Sequence, residues 1–121
     1  MYAAKNLKRT EKMPKHDFGI MPRAPQAGKR FDEYEPEKYH CVAVSDDDIL
    51  PCLDAFRCGK TYWHTLDWPE LRLAYCGITL IPPETLDTYL EIVWKKPGIT
   101  ELAALLIEAK EKHAFVIHFG I

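Results

Sequence analysis

The sequence predicts an α/β or α+β fold: a mixed sheet of about four strands with helices packed on it, preceded by an irregular N-terminal arm. Three observations carry this expectation. Short β-branched and apolar runs alternate with stretches of helical apolar spacing, in the order strand, helix, strand, strand, helix, helix, strand. The last run, residues 114–121, is largely apolar on both alternating faces, the pattern of a central strand covered on both sides. Residues 1–30 lack sustained periodicity and are interrupted by Pro14, Pro22 and Pro25. With 121 residues, 47% hydrophobic and 28% charged, the chain can fill one core but not two.

The arm with its acidic junction takes residues 1–35 and a single small body residues 36–121; the acidic run, Phe31 to Glu37, straddles that boundary. Within the arm, Met13, Phe18, Ile20 and Met21 are apolar enough to dock on a surface. Tyr39 to Val44 reads as the first strand of the body. Ser45 then caps a helix, and Asp46, Asp47 and Asp48 fall in its first turn, where carboxylates complement the helix dipole. Ile49, Leu53 and Phe56 form its inner stripe. Pro51 must sit in the first turns or kink it, and Gly59 closes it. Thr61 to Leu66 is a second strand, Asp67-Trp68-Pro69 a turn, and Leu71 to Ile81 holds a third strand. Pro82 and Pro83 open a second helix with Leu86, Tyr89, Leu90 and Val93 inward, ended by Pro97-Gly98. Thr100 caps a third helix, with Leu102, Leu105, Leu106 and Ala109 inward and Lys110 and Lys112 in its last turn.

Charge is split along the chain. Residues 1–30 hold eight Lys or Arg and two acids, a net of +6; residues 31–121 hold eight and sixteen, a net of −8. Lys5, Lys8, Arg9, Lys12 and Lys15 make the first half of the arm a basic run. Such a run supports salt-sensitive contact with phosphates, but the acidic body repels them. The opposite signs favour docking of the arm on its own body or on a second copy. The longest unbroken apolar run, Leu102 to Ile107, has six residues, far short of a membrane span. No apolar stretch follows the first lysines, so the expected location is the cytoplasm, with reduced thiols.

Motifs that carry chemistry are weak. Cys41, Cys52, Cys58 and Cys76 contain no C-x-x-C pair. The string from Val42 to Leu50 is similar to the acidic turn of phosphoacceptor receiver domains, yet the element order and the short body exclude that family. Gly59-Lys60-Thr61 lacks the earlier glycine and the following helix of a phosphate loop. His40 and Cys41 are neighbours in an expected strand and point to opposite faces. Ser45, the only serine, has no histidine near it in sequence. No residue is assigned as catalytic or as a metal ligand, and no cofactor is expected.

The segment Tyr62-Trp63-His64-Thr65-Leu66-Asp67-Trp68 concentrates aromatic and polar groups at a strand-to-turn junction. Trp and Tyr dominate binding hot spots, so Tyr62, Trp63, His64, Asp67 and Trp68 are the candidate binding residues. The arm contacts would come from Lys5, Lys8, Arg9, Lys12 and Lys15. The expected function is that of an interaction module that binds a protein partner or homo-dimerises. One alternative is a small enzyme or metal-dependent module using His64, His118 and a carboxylate. The other is a nucleic-acid accessory protein acting through the arm.

Overall fold

A computed structural model describes residues 14–121. Its elements, in chain order, are β1 (Lys15–Ile20), β2 (Val42–Ser45), α1 (Asp46–Ile49), β3 (Thr61–Trp63), β4 (Pro69–Glu70), β5 (Ile78–Ile81), α2 (Pro83–Val93), α3 (Thr100–Glu111) and β6 (Val116–Phe119). The class is α+β. The strands form one sheet of six, not four, in the order β2-β1-β6-β5-β3-β4, and every pairing is antiparallel rather than mixed.

The C-terminal strand β6 lies between β1 and β5, and all four of its residues are buried. Its alternation divides two packing layers. Val116 joins α2, α3 and the α1 segment on one side; Ile117 and Phe119 meet Met21, Tyr39, Ile78 and Leu80 on the other. The second layer is roofed by residues 21–41, through Phe31, Tyr39 and Cys41. That explains why both faces of the strand are apolar although the helices cover only one.

The arm was the largest departure from expectation. Lys15–Ile20, placed with the irregular arm on composition, is an inner strand. It pairs with β2 through Phe18↔Val42 and with β6 through Phe18↔His118. Phe18 and Met21 are core residues rather than docking side chains. Proline punctuation at positions 14 and 22 bounds this strand instead of dissolving it. Of the basic run, Lys15 starts β1 and is exposed. Met13, Lys5, Lys8, Arg9 and Lys12 lie outside the described residues.

The other differences have local causes. Ser45 does cap α1, accepting from the Asp47 N–H at 3.2 Å. The helix then lasts only to Ile49, because Pro51 offers no N–H and its ring crowds the preceding turn. The chain continues as 3-10 turns, Leu50–Cys52 and Ala55–Cys58. Strand β3 stops at Trp63 because His64 adopts a left-handed conformation, φ 65°. The Trp68 N–H bonds the Thr65 carbonyl and the Trp63 N–H bonds the Trp68 carbonyl, so a hairpin to β4 closes there. Only Ile78–Ile81 of the long third strand is extended. Residues 74–77 form a turn pinned by the C-terminus: Gly120 N–H reaches the Gly77 carbonyl at 2.8 Å and Ile121 N–H the Tyr75 carbonyl at 3.0 Å. Thr100 is the first residue of α3, not its cap; Ile99 holds the cap position without a side-chain bond.

Candidate functional site

The aromatic turn is assembled by the β3–β4 hairpin at one edge of the sheet. Trp63 and Trp68 stand 5.9 Å apart between ring centroids, and His64 lies 6.4 Å from Trp68. The Trp63 indole N–H donates to the Arg72 carbonyl at 2.8 Å, and that of Trp68 to Glu70 at 3.0 Å. Both polar tips are thus satisfied, leaving the ring of Trp68 44% exposed; Leu71, just past β4, is 59% exposed. His64 is turned to the opposite chain segment: its Nδ1 lies 3.1 Å from the Phe31 carbonyl and 3.0 Å from Asp32. It ties the roof of the second layer to the hairpin. Tyr62 does not share this patch. It points to the other face of β3, where Leu80 is its register partner and Lys60 sits over its ring at 5.3 Å. The Asp67 N–H is held by the Thr65 hydroxyl, and its carboxylate flanks the patch by position in the turn. Trp63, Arg72, Leu53, Asp54 and Tyr75 line a cavity of about 260 Å³ beside it.

A second constellation adjoins the aromatic turn across β5, where Thr79 is the register partner of Trp63. β1 supplies His16, β6 supplies His118, β5 supplies Thr79, the first residue of α1 supplies Asp46, and the turn before β5 supplies Tyr75. Register explains the meeting: Thr79 and His118 are direct partners across β5–β6, and Phe18, opposite His118, places His16 one diagonal step away. His118 Nδ1 is 3.1 Å from Thr79 Oγ1. Its Nε2 is 2.8 Å from His16 Nδ1, and the two rings stack at 5.1 Å with an 18° tilt. His16 Nε2 is 2.9 Å from Asp46 Oδ1, and the Tyr75 hydroxyl donates to Asp46 Oδ2 at 2.7 Å.

Donor and acceptor capacity fixes the direction of this array. An ionised carboxylate only accepts, so His16 donates from Nε2 and, when neutral, accepts at Nδ1. His118 must then donate from Nε2 and accept at Nδ1, which leaves the Thr79 hydroxyl as donor. Thr79 Oγ1 also accepts from the Ala74 N–H at 2.8 Å. Every group is satisfied with both imidazoles neutral. Burial, and next the neighbouring His16, hold the His118 imidazole well below the usual histidine range. Burial alone would raise Asp46, but hydrogen bonds from His16 and Tyr75 outweigh it and leave the carboxyl below its ordinary range. The bond to Asp46, with some burial, pushes the Tyr75 hydroxyl up to about 12.

Chemically, the array stores and orients protons but admits no substrate: His16 and His118 are both 0% exposed. His64 and His118, which the enzyme alternative would bring together, have other partners: His118 is joined to His16, and His64 to Asp32. Among the described residues, no group of three or more His, Cys, Asp or Glu is placed to hold a metal ion. No helix among them is long and apolar enough to cross a membrane. Sequence reasoning missed His16 and Tyr75. The only local signal for His16 was the alternation His16, Phe18, Ile20 inside a segment dominated by charge and proline. Comparison with protein-family models, with curated proteins and with solved structures finds no match to this chain.

Proposed function

We propose that this chain is a protein-binding module, working in the cytosol, whose binding face is the Trp68 hairpin and whose partner presents a basic, aliphatic surface. The observation that carries the reading is the exposure of Trp68 and Leu71 on either side of the two-residue edge strand β4, with Asp67 and Glu70 in the same segment. A large aromatic with its N–H already satisfied gains by losing water from its ring. Flanking carboxylates and the exposed indole favour lysine or arginine over acidic groups, by ion pairing and cation–π attraction. The charge of −8 over residues 31–121 adds long-range attraction of the same sign. A second copy carries complementary charge, since residues 1–30 sum to +6, so homo-dimerisation is the nearest form of this reading. Four free thiols, at Cys41, Cys52, Cys58 and Cys76, fit a reducing compartment.

The test uses the full chain and three probes: a Lys/Leu peptide, a Glu/Leu peptide of equal length, and duplex DNA. Tryptophan fluorescence should respond saturably to the basic peptide, weaken with salt, and lose at least about tenfold in affinity in Trp68→Ala, the scale of one hot spot. Indifference of binding to Trp68→Ala, or preference for DNA, would overturn the reading. Sedimentation of wild type and Trp68→Ala over a range of concentrations tests whether a second copy is the partner.

A further inference from the structure

We infer that the His16–His118 pair is a proton-operated lock between β1 and β6: neutral, it joins the two strands beneath Asp46, and acid opens it. The inference rests on counting hydrogens in the buried array and is independent of the hairpin surface.

Only 2.8 Å separates His16 Nδ1 from His118 Nε2, room for one hydrogen between them. With both imidazoles neutral that hydrogen comes from His118, and the whole array from Thr79 to Asp46 is satisfied. A first added proton reverses the Thr79 end. His118 must then donate from Nδ1 to Thr79 Oγ1, which already accepts from the Ala74 N–H, and the hydroxyl hydrogen loses its acceptor. The added charge is balanced in part by Asp46, 2.9 Å from His16 Nε2. A second proton places two N–H groups head to head in the same gap, with two like charges on stacked rings, and the pair must separate.

The groups facing the pair from each packed element are few. α1 brings Asp46; the turn before β5 brings Tyr75, its ring 5.5 Å from His16; β5 brings Thr79, which does not titrate. Cys76 follows Tyr75 in that turn, and Asp47 and Asp48 follow Asp46 in α1. On their own strands, Phe18 packs 4.8 Å from His118, while Lys15 and Asp17 alternate to the opposite side of β1. Asp17 is engaged there by the Tyr34 hydroxyl at 2.8 Å. The helices α2 and α3 cover the remainder of this side with apolar residues such as Leu86, Val93, Leu102 and Leu106. Asp46 is therefore the one carboxylate bonded to the pair among the described residues, and it balances one charge, not two.

The sign follows from linkage. The His118 imidazole is held below the usual histidine range in the folded chain. The unfolded chain therefore takes up the proton first, near pH 6.5. Stability is complete above that value and falls as pH drops below it, by up to tenfold in the folding equilibrium per pH unit for one proton. Strain concentrates on the β1–β6 ladder, where the pair sits, before it reaches β3–β5.

The experiment is a nitrogen-15 NMR titration of the imidazoles in the full chain, with amide hydrogen exchange followed at the same pH values. Both His16 and His118 should show the Nε2–H tautomer near neutral pH. Exchange at β1 and β6 should accelerate between pH 6.5 and 5 beyond the intrinsic pH effect, and earlier than exchange at β3. Denaturant unfolding supplies the second readout: His118→Gln, which keeps a donor at the Nε2 position, should flatten the wild-type fall by about tenfold per pH unit over that window. His113→Gln, at a solvent-exposed position, should leave the fall intact. The lock is overturned if His118 titrates near 6.5 with no change in exchange at β1 and β6, or if wild-type stability is flat across the window. Should His118→Gln not fold, the titration and exchange of the wild type still decide between these outcomes.

Discussion

Gly19 shows how much a single hydrogen in place of a methyl controls here. A Cβ at this position would lie 2.6 Å from the Tyr39 Cβ and 2.7 Å from the Cys41 sulfur, so the roof of the second layer rests directly on the β1 backbone. We expect Gly19→Ala to cost about 1–3 kcal/mol in chemical denaturation, the usual scale of overpacking. The loss arises from displaced residues 39–41, since the strand conformation itself suits alanine. Cysteine reactivity should divide along the same packing. Burial pushes the Cys41 thiol up to about 12 and raises that of Cys52, whereas Cys58 and Cys76 are exposed. A thiol reagent at neutral pH should label exposed Cys58 and Cys76 quickly, half-buried Cys41 slowly, and buried Cys52 only on unfolding. At this scale the sequence was legible where a signal is local. Ser45 as a cap and Pro51 as a helix breaker could be read directly. The partnership of His16 with His118 could not, because 102 positions separate them and only strand register brings them together.

Among the elements, α3 gives the cleanest contrast. Leu106 is 1% exposed, and its neighbour Ile107 is 44% exposed. Leu106→Ala should lower stability by about 2–5 kcal/mol, the range for a buried leucine, and Ile107→Ala by less than about 0.5 kcal/mol. Equal effects at the two positions would mean that α3 is rotated from its described face. This helix, α2 and β6 were readable because their apolar periods run over several turns or a full strand. The shorter pieces were harder. β4 has only two residues, set by the β3 hairpin rather than by its own composition. The segment 71–77 has strand-like residues, but the side chain of Thr79 and the backbone of Gly120 and Ile121 hold residues 74–77 as a turn. Tertiary bonds override propensity most easily in stretches this short.

At the level of the whole molecule, the position of β1 changes what the N-terminal region is. Charge asymmetry between residues 1–30 and the rest suggested an irregular arm, bounded with its junction at residue 35, and composition placed Lys15–Ile20 with it. In the sheet this segment has β2 on one side and β6 on the other. Removing residues through Met21 would strip β2 of its only partner strand and uncover Phe119 and His118. We expect such a truncated chain to lose its cooperative unfolding transition and to bind a hydrophobic dye, as read by circular dichroism and fluorescence. A folded, cooperative product would show that β1 is dispensable. Net charge is informative about partners and solubility; it carries little information about which residues lie inside.

The same strand bears on how the molecule comes into being. A chain is synthesised from N- to C-terminus, so β1 emerges well before its partner β6, with 102 positions between His16 and His118. A hairpin-like pairing with β2 can form early. The sheet cannot close until β6 has left the ribosome. Its central pairings are also among the most distant in sequence, which slows closure through the entropy of bringing the ends together. Until then, Phe18 and the hydrogen-bonding edge of β1 stay open to other nascent chains, so the window for misassembly is set by translation itself.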